Sequence, residues 1–460
     1  MAEKVIKSPV STGIGTKNWM LIWIVGMAGQ IAWNIENNWF NTFVYEKIGY
    51  EPDIIAWMVG ISAAATTLIT FLFGTLSDRI GKRKPFIVVG YILWGVATMA
   101  FGFTELIYQS MVVRGLSIAL SIAALLVVSF DAIMSLFGSM GNDAGFNAWT
   151  TDISNESNRG ALSGAIATMP VIATIIGTVG SGFIIAKLDY FGFFIVMGIL
   201  VMAIGVFSFF FLKDSPTLSP RKDGNFRKQF LSVFNLKYFK ENKELAWVFI
   251  FLASYFIGFN VYFPYMLVYI QYTLGVEVGL SGVILGLGLI VASVVVFPST
   301  KLIKHGQSAF LCFLAVVINT LGLIVIFFTT PTTPYFVLAF GVVLVGAGYI
   351  SVLQSLTAWM KNLYPETQRG QFEGLRIVFA VLLPMVIGPI IGTNIIKSFG
   401  ELGTQQITDT ISVTGPLPPA LLFAVGAFVT LLSMIPLYYL NKRHLINKSI
   451  KYETEKLGQK

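Results

Sequence analysis

From about residue 19 to residue 440 the chain alternates long apolar runs with short polar ones, and that alternation decides what it can fold into. Each run is long enough for an α-helix of about 20 residues, the length that crosses the hydrocarbon layer of a bilayer. Twelve such segments are predicted, at 19–45, 53–76, 85–104, 122–150, 161–186, 190–212, 246–273, 278–299, 308–329, 334–359, 371–397 and 418–440. Composition agrees. The chain is 55% hydrophobic and 12% charged, whereas soluble domains carry roughly 25% charged residues. The expected fold class is all-α integral membrane, with twelve transmembrane helices in two pseudo-symmetric six-helix bundles.

The basic residues set the orientation. Of the 31 Lys and Arg, 26 fall in the termini or in the loops on the same side as the termini. Lys47, Arg114, Lys187 and Lys397 lie on the other side, and Arg376 lies inside a span. Positive loops stay in the cytoplasm, so both termini are expected there. The protein is expected to be multi-pass in the plasma membrane, the inner membrane in a bacterium. The net charge of +8 therefore reads as topology and not as a nucleic-acid surface. Residues Met1 to Lys17 lack the apolar core and cleavage site of a signal peptide. The single cysteine, Cys312, excludes an intramolecular disulfide and any cluster built on cysteines.

The loop Gly74-Thr-Leu-Ser-Asp78-Arg79-Ile-Gly81-Lys82-Arg83-Lys84 is the sharpest motif. Its charges cannot lie in hydrocarbon, so it forms a tight cytoplasmic turn between the second and third spans. It resembles the loop between helices 2 and 3 of the major facilitator superfamily, Gly-x-x-x-Asp-Arg-x-Gly-Arg-Arg/Lys, with Lys82 in place of the first Arg. The resemblance implies the major facilitator fold and a cytoplasmic gate that includes Gly74, Asp78, Arg79, Gly81 and Arg83. An ungapped internal repeat supports two halves. Ala148-Trp149, Glu156, Arg159, Gly160 and Gly164 recur 210 residues later as Ala358-Trp359, Glu366, Arg369, Gly370 and Gly374. Glu156 with Arg159, Glu366 with Arg369, and Glu373 with Arg376 are expected to pair at the cytoplasmic gate. The second-half counterpart of the motif, Pro298 to Gly306, is degenerate, with Lys301 at the Asp position. Its gate should be weaker or built differently. The domain division is 1–212, a linker at 213–245 and 246–460. In the linker, Phe226 to Phe239 mixes aromatic and basic residues in the manner of an interfacial helix.

Polar residues inside the spans are costly in lipid and are candidates for function. In the first span Gln30, Asn34, Asn37 and Asn41 share one helical face, a stripe of amides suited to a ligand with many hydroxyls. Trp33, which lies beside Glu36, is a further candidate for substrate contact. Glu36 points well away from the stripe, which fits either a proton or cation site or a buried structural hydrogen bond. Counted back from the cytoplasmic end of the fourth span, Asn142 and Asp143 are expected near the bilayer middle, and Asp131 near the outer boundary as a structural or gate residue. Asp143, Asn147 and Thr150 are spaced to share a face. In the second half Tyr255, Asn260, Tyr265 and Gln354 are candidates for substrate contact, although an aromatic stripe in a span also serves packing.

The segment Asn142-Asp143-Ala-Gly-Phe146-Asn147-Ala-Trp149-Thr-Thr-Asp152 looks like helix 4 of the glycoside–pentoside–hexuronide:cation symporters. The segment from Gln30 to Gly49 looks like helix 1 of the sucrose:proton symporters. These resemblances imply a sugar substrate, with the Asp that contributes to sugar binding at Asp143. The second span has no acid between Ile54 and Gly74, so the carboxylate pair of the sodium-coupled type is missing and a proton is the expected coupling ion. The expectation is a non-enzymatic, monomeric symporter without cofactors. It would import a sugar or glycoside by alternating access, with Glu36 and Asp143 coupling. The alternative is a proton-driven efflux antiporter for small molecules. The Gly-Pro run that such antiporters carry in helix 5 is missing, and only Gly388-Pro389 with Gly392 in the eleventh span comes near it.

Overall fold

A computed structural model describes residues 14–155, 158–216, 218–220, 242–299, 307–364, 372, 375–408 and 411–442. Glu156, Glu366, Arg369 and Glu373 lie outside the described residues, as does most of the linker, including the stretch read as an interfacial helix.

Twelve helical passes follow one another. α1 is Thr16–Phe43 and ends in a π-helical turn, Val44–Ile48. α2 is Pro52–Ile80 and α3 is Lys84–Val113. α4 runs from Ala119 to Asp152, with a π-helical stretch at Ser139–Phe146. A helical stretch of 53 residues, Arg159–Phe211, follows. At about 1.5 Å per residue it is far too long for one crossing. It breaks at Asp189, whose φ of 56° and ψ of 176° are non-helical, into α5 (159–188) and α6 (190–211). The Asp189 carboxylate accepts from the backbone N–H of Tyr190 at 2.8 Å and so caps α6. The second half comprises α7 (Lys243–Val268, then a π turn at Tyr269–Thr273), α8 (Val278–Val296), α9 (Ser308–Phe327), α10 (Tyr335–Leu363), α11 (Leu383–Phe399, after a π turn at Val378–Leu382) and α12 (Leu421–Leu432 with Met434–Lys442). All but α1 are apolar enough to count as spans by hydropathy. The amides and the glutamate of α1 lower its score.

These helices are apolar all round because they are buried on one side and meet lipid on the other. Leu125, Phe210 and Phe336, for example, are 67%, 68% and 73% exposed. Within the first half α3 packs on α4 and α6, and α1 packs on α5. Within the second half α9 packs on α10 and α12, and α7 on α11 and α12. The halves meet through α2 with α11, α5 with α8 and α1 with α7.

That meeting is tight on the face opposite the basic loop. Thr393 Oγ1 donates to Pro52 O at 3.0 Å, and the Tyr265 hydroxyl reaches Thr393 Oγ1 at 2.7 Å and Pro389 O at 3.2 Å. Lys397 pairs with Asp53 at 2.7 Å, and the Tyr272 hydroxyl donates to Glu46 at 2.8 Å. Tyr45, Tyr50 and Tyr272 cluster between them.

Two features depart from the sequence expectation. The third span, expected to end at 104, continues as α3 to Val113, and α4 begins at Ala119, before the expected 122. The loop between α11 and α12 is a β-hairpin, β1 (Leu402–Thr408) paired antiparallel with β2 (Ile411–Pro416). It belongs to the second half but lies on the first: Gln405 Nε2 donates to Glu46 O, and Tyr45 donates to Pro416 O at 3.3 Å.

Replacing Tyr265 by Phe removes hydroxyl contacts to α11 and the α1–α2 loop, a loss of about 1 kcal/mol of closure. In a Cys312→Ser background, a cysteine at Asn41 is expected to react several-fold faster with a membrane-impermeant thiol reagent in Tyr265→Phe than in the Tyr265 protein. Equal rates would show that this knot does not hold the face shut.

Candidate substrate and coupling site

The helix-1 amides are mostly engaged with their own helix. Asn37 Nδ2 donates to Trp33 O at 2.7 Å, Asn38 Nδ2 to Asn34 O at 2.9 Å and Asn41 Nδ2 to Asn37 O at 3.1 Å. These bonds satisfy donors within the span. Asn34 is drawn to α5, where its Oδ1 accepts from Thr178 Oγ1 at 3.2 Å beside Gly177. Asn41 keeps a buried, unpartnered Oδ1. Gln30, Trp33 and Asn37 are half-buried.

Glu36 faces α4, as its divergence from the stripe allows. Its Oε1 accepts from Ser135 Oγ at 2.6 Å. Asp131 lies one turn earlier on α4, where its carboxylate accepts from Ser62 Oγ of α2. Asp131 is only 2% exposed, and its depth differs from the expectation. It is twelve residues inside α4, just as Glu36 is twelve residues short of Ile48 and Ser62 ten residues past Pro52. These three groups therefore share one level, about 15–18 Å from the helix ends, well inside the membrane and away from its outer boundary. Asp143 is closer to the basic face, nine residues from Asp152 at the end of α4.

Asp143 is fixed by its neighbours. Asn142 Nδ2 donates to Asp143 Oδ1 at 3.0 Å, and Asn142 Oδ1 accepts from the buried Tyr91 hydroxyl at 3.2 Å. Gly29 of α1 lets this cluster close, since a Cβ there would sit 2.4 Å from both Asn142 Oδ1 and the Tyr91 oxygen. Trp33 lies beside Asp143, its ring 5.0 Å from that of Trp94. The structure thus brings Trp33, Asp143 and Glu36 into one region. The common face predicted for Asp143, Asn147 and Thr150 is not kept: they are half-buried, exposed and buried. The π-helical stretch at Ser139–Phe146 widens the turn and shifts the register. Such stretches often mark functional sites, and this one carries Asn142 and Asp143.

The second-half candidates are more dispersed. Tyr265 belongs to the closure described above. Asn260 Nδ2 donates to its own helix at Phe256 O at 2.8 Å. Tyr255 is fully buried with an unpartnered hydroxyl. Gln354 is half-buried and has an unpartnered Oε1.

At the basic face the loop motif forms one network. Arg83 is 5% exposed and reaches Asp78 at 2.5 Å, Ser77 at 2.5 Å and Asp152 at the end of α4 at 2.8 Å. Burial works against the guanidinium charge, but the bonds to Asp152 and Asp78 outweigh it and raise the pKa of Arg83. Asp214, after α6, accepts from the backbone N–H groups of Arg83 and Lys84 at 2.8 and 2.9 Å. Gly81 has the left-handed φ of 69° that closes the turn. Arg79 is exposed, and Gly74 has open space around it, so neither enters the network. The repeated tryptophans both anchor helix ends: Trp149 donates to Lys213 O at 2.9 Å and Trp359 to Glu244 at 3.0 Å. Arg376 sits at the basic-face end of the eleventh pass, and its expected partner Glu373 lies outside the described residues. Ser62, Ser135 and Tyr91 were not anticipated. The Asp131–Ser135 spacing of one turn in an apolar segment was the readable signal.

Comparisons with known proteins agree with this architecture. The structure resembles that of the nucleoside transporter NupG in a mutant form, with a TM-score of 0.66 and 10% identity over 92% of this chain and 99% of that one. It also resembles a bacterial homologue of the iron transporter ferroportin in an inward-facing state, with a TM-score of 0.61 and 12% identity over 92% of this chain and 98% of that one. Both likenesses show the fold alone. A comparison with curated protein sequences found no match. Residues 22–389 match the sequence profile of the Major Facilitator Superfamily, and the chain belongs to that superfamily of membrane transporters.

Proposed function

We propose that this transporter is a proton-coupled symporter that imports a sugar or glycoside by alternating access. The observation that carries the reading is the acceptor-rich region around Asp143. A carboxylate held by Asn142 lies beside Trp33, and Asn37 and Asn41 spend a donor on their own backbone, which leaves their oxygens as the acceptors a ligand would meet. Acceptors of this kind suit a donor-rich ligand such as a polyhydroxylated ring, whose apolar face can lie on an indole. Asn37, Asn41, Asn147 and Gln354 would add polar contacts. Glu36 and Asp143 would couple, since carboxyl groups in a span without a basic partner exchange protons readily. The closed face opposite the basic loop supports alternating access, with the two halves rocking about the central site. The Arg83 network would keep the ends of α2, α4 and α6 rigid as the halves move. The orientation follows the basic residues, with the Arg83 loop in the cytoplasm of a plasma or bacterial inner membrane.

The first test adds a panel of glycosides to purified protein in liposomes while internal pH is followed. A sugar-dependent proton influx, lost in Asp143→Asn although that variant remains monodisperse, is the expected result. Release of a lipophilic cation under a pH gradient, with no response to any sugar, would overturn the reading in favour of efflux. Asn37→Ala should raise the half-saturating sugar concentration by about tenfold, the loss of one ligand hydrogen bond, while proton coupling persists. Arg83→Ala should lower the thermal midpoint in detergent, because Asp78 and Asp152 lose their shared partner at a cost of about 2–3 kcal/mol. An unchanged midpoint would mean that the network is not structural.

A further inference from the structure

We propose that Glu36 and Asp131 form a two-carboxyl proton site inside the membrane, held by Ser135 and Ser62 and separate from Asp143. The proposal rests on the symport reading only for the use to which its protons are put.

The two side chains meet through α4. Ser135 donates to Glu36 Oε1 at 2.6 Å, and Asp131 is one turn from Ser135 on the same helical face, where side chains are neighbours. Ser62 donates to Asp131 from α2. Each carboxyl keeps one buried oxygen without a hydrogen-bond partner, Glu36 Oε2 and Asp131 Oδ1. A carboxylate pair left this way lacks donors, whereas a protonated carboxyl is itself a donor and needs fewer.

No fixed cation neutralises the pair. The first half has no Lys, Arg or His between Lys17 and Lys47, between Lys47 and Arg79, between Lys84 and Arg114, or between Arg114 and Arg159. The same holds in α5 and α6 between Arg159 and Lys187 and between Lys187 and Lys213. Both histidines, His305 and His444, lie in loop or tail segments of the sequence. The charged groups that bear on Glu36 are Asp131 and Asp143, both acids. In the eleventh pass, Arg376 sits at the far, basic-face end, and Lys397 sits at the opposite end, paired with Asp53. Two like charges in a medium of low dielectric cannot both stay ionised without compensation, so the pair holds at least one proton.

The site has mechanical reach. It joins α1, α4 and α2, and α2 carries the contact with α11 that closes the opposite face. Loss of the proton would set Glu36 against Asp131 and loosen the seat of α2 through Ser62. Proton occupancy therefore favours the closed arrangement seen in the structure.

Infrared spectra of the protein in liposomes at neutral pH, without sugar or added metal ion, test this directly. A carboxylic-acid C=O band is expected in the unaltered protein. Asp131→Asn and Glu36→Gln should each remove or shift it, Ser62→Ala should change its frequency, and Asp143→Asn should leave it in place. Size-exclusion profiles identify variants that fail to fold, and Ser62→Ala, which keeps both carboxyls, then serves as the test. Absence of the band at neutral pH, a band unchanged in Asp131→Asn and Glu36→Gln, or its bleaching by sodium at constant pH would overturn the proposal, the last by making the pair a cation site. If the band behaves as expected while no sugar moves protons, the pair stands and the sugar reading fails. If sugar moves protons but the band ignores both variants, the reverse holds.

Discussion

The constraint on which this structure depends is the cost of unpaired polarity in lipid. Every backbone group in the spans must be paired within its own segment, which dictates helices. The same cost shapes the side chains. Asn37, Asn38 and Asn41 turn their donors back to α1 carbonyls, Asn260 does so in α7, and Thr178 answers the Asn34 oxygen. Polar groups left without partners are then few enough to be informative. Among the described residues of the first half they include Glu36 and Asn41 on α1 and Asp131 on α4, with others on α2, α3 and α6.

The two faces of the protein are held differently. On the basic face Arg83 gathers Asp78, Asp152 and Ser77 within the first half, while Asp214 fixes the adjoining backbone. This network joins helix ends of a single bundle. On the opposite face the bonds cross between the halves, through Tyr265, Thr393, Lys397 with Asp53, and the hairpin over Glu46. A bundle that is rigid at one end and reversibly tied to its partner at the other suits a machine that opens alternately. The cross-half ties are hydrogen bonds and one exposed ion pair, each of modest strength, so they can be broken in turn.

The proposed substrate region is built around a fixed acid. Asp143 sits in a π-helical stretch whose wider turn moves it out of the 3.6-residue register, and Gly29 permits α1 to approach it closely. Glu36 and Asp131 lie deeper from that face and bond to serines on two helices. On the proposed reading, Asp143, which would contact the ligand, and the Glu36–Asp131 pair, which would hold a proton, lie at different levels of the same helix pair, and joint movement of α1 and α4 would couple them.

The sequence by itself determined the membrane class, the twelve passes, the basic face and the gate motif, because hydropathy and charge are properties of segments and survive without coordinates. It also identified Glu36 as diverging from the amide stripe, since helical angle follows from spacing alone. Only the tertiary structure decided what Glu36 faces, because Ser135 is 99 residues away and nothing local announces it. The depth of Asp131, the structural use of Tyr265 and the hairpin laid across α1 were likewise settled by contacts between segments far apart in the chain. The π-helical turn at Asp143 belongs to the same group: Ser139–Phe146 packs against α2 and α3, and its composition alone does not prescribe the wider turn.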